Sequence, residues 1–195
     1  SYASHIQEEL HDMQGYGWNH DGPLKLDWPK LVDAKKKEIK RLNGIYGNLF
    51  ENSGVELIEG KARFTNNKEV EVNGKTYSAD TFLIATGGWP FIPDFPGKEY
   101  AISSNEIFDL ETFPKRLVVV GGGYIAVEFA GIFHGMGAEV TQLYRGELFL
   151  RGFDSDLRTH LRDCMLTSGI DVRFKRDVAS ITQTSTGLKV TLKSG

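Results

Sequence analysis

The residues best placed to do chemistry are small ones. GGGYIA (121–126) follows the apolar run RLVVV (116–120) and opens YIAVEFAGIFHGMG. A strand that turns on glycines into a helix offers backbone amides and the positive end of the helix dipole to an anion. Gly121 permits the tight turn, Gly123 lets a pyrophosphate approach the backbone, and Ala126 holds helix and strand close. Ala130 and Gly137 keep the helix slim where it crosses a sheet. GxGxxA alone is a weak signal. Inside a complete strand–helix–strand unit it predicts a dinucleotide site rather than a plain glycine turn.

In such a unit the end of the second strand, some twenty residues beyond the glycines, reads the ribose, and an acid there accepts from a free 2′-hydroxyl. VTQLYRGELFLRGFD (140–154) places Arg145 at that position, with Arg151 six residues on. Guanidinium groups present forked donors matched to phosphate oxygens. The pair therefore points to a 2′-phosphorylated cofactor, NADP(H), over NAD(H). The plainer alternative is two solvent arginines paired with Asp154 and Asp156.

Other reactive types carry less. Cys164 is the single cysteine, which excludes an internal disulfide and a Cys-rich metal site within these residues. This fits a reducing compartment and a cytoplasmic location. Cys164 lies in LRDCMLTSG beside apolar helix positions and is expected to be a buried structural residue. His5, His11, His20, His134 and His160 show no metal spacing and read as surface or local-packing residues, so no metal site is expected.

The elements that must position these groups follow from periodicity. RLVVV, AEVTQLY and IDVRF read as strands, separated by helices over YIAVEFAGIFHGMG and FDSDLRTHLRDCMLTSG. That alternation means a parallel, Rossmann-like sheet. ASITQTS and GLKVTLK read as an antiparallel appendage. Upstream, Tyr2, Ile6, Leu10 and Met13 recur at helical spacing before Gly15. Asp27 caps a second helix with Pro29 in its first turn. Leu31, Val32, Ile39, Leu42, Ile45 and Leu49 give it an apolar stripe, and Gly54 closes it. KKKEIKR within that helix is a solvated face rather than a nucleic-acid patch. Residues 55–84 predict an antiparallel meander with turns at Asn66-Asn67 and Asn73-Gly74, feeding a buried strand at Thr81–Ala85.

The fold class is thus α/β, with a Rossmann-like sheet, an antiparallel meander and part of a second domain with long helices. ATGG (85–88) and the proline-rich WPFIPDFPG mark the boundary, dividing the chain into 1–88 and 89–195. A net charge of −3 over 195 residues gives no support to a nucleic-acid or anionic-membrane partner. No apolar run approaches the roughly 18 residues of a membrane helix. The abrupt ends read as those of a segment from a longer protein.

Together GGGYIAVEFAG, LYRGELFLRGFD and LIATGG resemble the pyridine-nucleotide disulfide oxidoreductase family, and within it the glutathione reductases, over essentially the whole chain. The resemblance implies an NADPH domain at 89–195 and part of an FAD domain at 1–88. It implies that Tyr124 covers a flavin ring and swings aside for nicotinamide, with Ile125 in the same turn. Glu128 then lies near the nicotinamide carboxamide, and Arg145 and Arg151 grip the 2′-phosphate. Lys61, Ala62, Thr86 and Gly87 match segments that touch FAD. Ile45, Tyr46 and Asn48 match a site for oxidised glutathione, and a homodimer is implied for the intact enzyme.

The family's redox disulfide, its FAD glycine motif, its catalytic histidine–glutamate pair and its dimer interface have no counterpart among these residues. No catalytic residue is therefore assigned, and the 195-residue chain alone is expected to show no reductase turnover. Two readings stay open beside this one. One is another FAD-dependent disulfide reductase of trypanothione, mercuric or lipoamide type. The other is a non-catalytic NADP-binding module.

Overall fold

The computed structural model describes residues 2–19, 22 and 25–193. His20, read as a surface residue, lies outside them. The chain forms two compact units, Ser1–Pro29 with Pro90–Gly195, and Lys30–Trp89. The units divide after Trp89, one residue beyond the expected boundary, and residues up to Pro29 are grouped with the C-terminal part.

In the first unit, helix α1 (Tyr2–Asp12) runs into a short 3-10 turn at Met13–Tyr16. It packs on helix α3 (Tyr124–Gly135), where a side-chain carbon on Gly135 would lie 2.7 Å from Ser4 Cβ. Helix α2 (Trp28–Asn52) begins here with Trp28. Strands β4 (Arg116–Val120), β5 (Glu139–Tyr144) and β6 (Asp171–Phe174) form a parallel sheet in that order, with helix α4 (Ser155–Thr167) between β5 and β6. The register sets Arg116 beside Glu139 and Val120 beside Leu143. This is the strand–helix alternation expected from the sequence. Strands β7 (Val178–Thr184) and β8 (Gly187–Leu192) make the antiparallel appendage. It is tied back by Ile181 N–H, which donates to Pro96 O at 2.9 Å.

The core gathers around α3 and both faces of β5. Ala130, Phe133, Val140 and Leu143 are all buried. Trp28 joins them, 5.4 Å from Phe113 and 5.9 Å from Phe133 between ring centres. Its Nε1–H donates to Leu110 O at 2.7 Å, so the one polar atom of a buried indole is satisfied. By contrast β4 pairs only with β5 among the described strands, and its Val118 and Val120 are exposed. Gly137 does not slim α3 as expected. It has a φ of 99° and lets the Gly137 and Ala138 amides cap the carbonyls of His134 and Phe133.

The second unit holds most of α2 and a meander of β1 (Arg63–Asn66), β2 (Glu69–Val72) and β3 (Lys75–Ser78). Asn73 and Gly74 both have positive φ, 53° and 77°, as a two-residue hairpin turn of this kind requires. Within α2 the Lys37–Asp33 and Arg41–Glu38 pairs are exposed, which is the solvated face expected of KKKEIKR.

Two expectations for this unit do not hold. Thr81–Ala85 forms no strand, and Leu83 and Ile84 are exposed. A strand is a pairing rather than a property of one segment, and no described strand pairs with this run. The apolar stripe of α2 is also largely open: Leu31, Val32 and Leu42 are half-buried, whereas Ile39, Ile45 and Leu49 are exposed.

Trp28→Phe in the full-length protein removes the donor to Leu110 and part of the aromatic contact. It should destabilise by about 1–3 kcal/mol, measured as a lower denaturant midpoint with an unchanged slope. An unchanged midpoint would show that the indole hydrogen bond contributes nothing to stability.

Candidate functional site

The glycine turn is made of close approaches. Gly121 N–H donates to Leu143 O at 2.9 Å, which extends the β4–β5 ladder into the turn. A side-chain carbon on Gly121 would come within 3.1 Å of Ala126 Cβ. On Gly122 it would sit 2.5 Å from the Tyr144 ring, whereas on Gly123 it would meet nothing within 4 Å. Gly123 is the N-cap of α3 with extended φ and ψ and no side-chain cap. The first amides of the helix are therefore left without side-chain acceptors and face an open approach. Buried Gln142 supports the turn from below, its Nε2 donating to Gly121 O at 3.1 Å.

A cleft of about 590 Å³ opens in front of these amides. Gly122, Gly123 and Tyr124 line one part of it, and Arg145, Glu147 and Arg151 another. The structure thus brings Gly123, Tyr124, Arg145 and Arg151 together. Gly121 sits beneath at the strand end. Ile125 and Glu128 follow on α3, both exposed, with Glu128 one turn beyond Tyr124.

The charges in the cleft differ in how they are occupied. Glu147 pairs with Lys175 at 2.9 Å, and that hydrogen bond holds its carboxyl below the usual range. Asp154 does not pair with either arginine as the plainer alternative proposed. Its Oδ1 caps α4, accepting from Asp156 N–H at 2.9 Å and Leu157 N–H at 3.3 Å. Neither the Arg145 nor the Arg151 side chain makes a hydrogen bond or ion pair with a described residue. The field of Arg145 does reach Asp177, whose carboxyl is held low chiefly by its hydrogen bond from Lys193 at 2.6 Å. Two cations that form no ion pair with a described residue, beside a helix N-terminus without a side-chain cap, give this part of the cleft a positive potential.

Sequence reading missed Arg158, which also lines the cleft and donates to the carbonyls of Leu148 and Phe149. The available signal was its place one turn after the Asp154 cap, since helical side chains lean back toward the N-terminus. Tyr144, whose ring closes on Gly122 and Gly146, was likewise unread.

The remaining candidates lie in the second unit. Lys61 and Ala62 are exposed in the segment before β1, and Thr86 and Gly87 in the extended run after β3. Ile45, Tyr46 and Asn48 are exposed on α2. Cys164 is exposed rather than buried, because α4 turns Met165 inward, and its Sγ lies 3.5 Å from His160 Nε2. His134 is a packing residue, bonded through Nε2 to Ser168 O at 2.7 Å. His5 and His11 lie near acids at the surface. The described residues hold no cluster of three or more metal-ligating side chains, and no described helix is long and apolar enough to cross a membrane.

Comparison with known proteins places this cleft in context. The model of the pyridine nucleotide-disulphide oxidoreductase family matches residues 3–195. A glutathione reductase of Nostoc sp. is 44% identical over 98% of the chain and 41% of its own length. One from Burkholderia cepacia is 44% identical over 100% and 43%. The chloroplastic/mitochondrial glutathione reductase of Pisum sativum is 44% identical over 95% and 34%. The chain thus spans less than half the length of these relatives. Among solved structures, the HOCl-induced flavoprotein disulfide reductase RclA from Escherichia coli superposes with a TM-score of 0.78 at 26% identity, covering 100% of this chain and 43% of its own.

Two outcomes follow from the geometry. Gly122→Ala drives a methyl into the Tyr144 ring and should lower stability by about 1–3 kcal/mol, whereas Gly123→Ala points into open space and should melt within a degree or two of the unmutated protein. Equal melting temperatures for the two variants would contradict the packing described. Asp177 has a depressed carboxyl pKa in the fold, so its stabilisation is complete above the ordinary aspartate range and fades as pH falls through the depressed value. NMR titration should find that Lys193→Met moves the Asp177 midpoint upward.

Proposed function

Because the chain belongs to the pyridine nucleotide-disulphide oxidoreductases, we propose that it is part of an NADPH-dependent flavoprotein disulfide reductase that acts on oxidised glutathione. Residues 89–195 would hold NADPH, and the FAD-binding part would draw on residues before them. The observation that carries the cofactor choice is the pair Arg145 and Arg151, neither hydrogen-bonded to nor ion-paired with an acid among the described residues and set in one cleft with Gly123. An NAD(H) site would present an acid where Arg145 stands.

The chain's own residues define a sequence of tasks. The amides at the start of α3 and the open space at Gly123 receive the pyrophosphate. Arg145 and Arg151 offer forked donors to a 2′-phosphate and leave a bare 2′-hydroxyl without an acceptor. Tyr124, 60% exposed at the cleft, is free to change rotamer, as a gate over the nicotinamide must. Glu128 and Ile125 on the same helix would orient the carboxamide end. Exposed Lys61, Ala62, Thr86 and Gly87 supply a cation, a hydroxyl and backbone groups for FAD. Ile45, Tyr46 and Asn48 would form one wall for glutathione. When bound, the flavin supplies hydride acceptance from NADPH and electron delivery to a redox disulfide.

Support for glutathione rather than another disulfide comes from the relatives, at 44% identity against 26% for RclA. A homodimer and a cytoplasmic location belong to the same proposal. The pea relative's name assigns that protein to chloroplast and mitochondrion, so compartment varies among similar proteins.

The test is steady-state kinetics of the full-length protein with oxidised glutathione. NADPH should be strongly preferred to NADH. Arg145→Glu should raise KM for NADPH roughly ten- to a hundredfold, as expected for a lost charge-assisted contact of about 1.5–3 kcal/mol, and should spare NADH. Equal use of NADH and NADPH by the unmutated protein would overturn the cofactor reading. NADPH oxidation without dependence on glutathione would overturn the substrate reading. Sustained turnover by the 195-residue chain alone would overturn the division of labour.

A further inference from the structure

Arg145 and Arg151 stand on a loop whose shape is not set by its own sequence. Between them the backbone reverses through Leu150, a non-glycine residue at a φ of 55°. Leu150 N–H donates to Gly122 O, which ties the loop to the glycine turn at 2.6 Å. The next restraint comes from Arg158. Its Nε donates to Phe149 O and its Nη2 to Leu148 O, each at 2.7 Å. Phe149 itself is fully buried against Phe174, so its carbonyl has little recourse to water. Arg158 is fixed in turn by α4, where its own amide bonds Asp154 O at 3.1 Å.

Resting on the NADPH reading above, we infer that Arg158 is the positioning residue for 2′-phosphate selectivity, because its one guanidinium clamps the two carbonyls that lie between Arg145 and Arg151. Two adjacent carbonyls aimed at one planar fork fix both the direction and the twist of the loop. Such a clamp sets the separation of the flanking arginines without spending them. A lysine, with a single ammonium on a flexible stem, can meet one carbonyl well but cannot fix the plane of both. Arg158 thus acts through Arg145 and Arg151, and its effect must appear in discrimination between nucleotides rather than in chemistry.

The experiment uses the full-length protein and two probes, adenosine 2′,5′-bisphosphate and AMP, titrated by calorimetry against unmutated protein, Arg158→Met and Arg158→Lys. Thermal melting and the kcat and KM for NADPH and NADH are recorded alongside. The unmutated protein should favour the bisphosphate. Arg158→Met should cut that preference about tenfold, within the roughly hundredfold that a misplaced group can cost. Arg158→Lys should fall between. If Arg158→Met does not fold, the lysine variant decides, and an unaltered preference there overturns the inference. A methionine variant that keeps the full preference, or loses both probes in equal proportion, overturns it while leaving the NADPH reading intact. No preference in the unmutated protein removes the NADPH reading and this inference together.

Discussion

A helix can aim its amides at an anion only where nothing stands between its first turn and the strand that precedes it. That constraint governs the first unit. A side-chain carbon on Gly122 would collide with the Tyr144 ring at 2.5 Å, and one on Gly121 would press on Ala126 Cβ at 3.1 Å. Close approach lets β4 hand the chain directly to α3, and α3 in turn buries Ala130 and Phe133 against β5. The ordering of the sheet, the aromatic cluster around Trp28 and the open approach at Gly123 all rest on this contact. Gln142 adds a polar strut from the middle strand to the carbonyl of Gly121, an uncommon residue to find fully buried in a parallel sheet.

Much of this was legible in the residues. The strands of the parallel sheet are short β-branched runs bounded by glycine and charge, and the structure places each where its pattern put it. The Asn73-Gly74 hairpin follows because both residues tolerate the positive φ that the turn demands. Where reading failed, the missing information was a partner. Thr81–Ala85 has a strand's composition, but composition does not supply a neighbour. Cys164 sits next to apolar residues in sequence, yet Met165 rather than Cys164 turns inward, because adjacent helical positions diverge by about a quarter-turn.

The cleft shows the same division. Arg145 and Arg151 stand out in the sequence by type and spacing, and the structure sets both in one cleft with Gly123. Whether Asp154 would neutralise them was not readable, since its oxygen had two claimants. The amides of Asp156 and Leu157 win, being held in place by the helix they begin. The position of Arg158 one turn after the Asp154 cap could be read, but its partners could not. Its partners are backbone carbonyls, and which carbonyls face it depends on a loop path that residue types do not encode.

Leu150 gives that loop path a thermodynamic meaning. Glycine would reach a φ of 55° without strain, whereas leucine holds it at a cost of roughly 1 kcal/mol. Glycine, however, would also leave the unliganded loop many other shapes to visit. With leucine the backbone that carries Arg145 and Arg151 is restricted before any ligand arrives, so only their side chains would remain to be ordered by an anion. The backbone entropy that a mobile loop would surrender on binding would be settled at folding instead, which is preorganisation of the main chain.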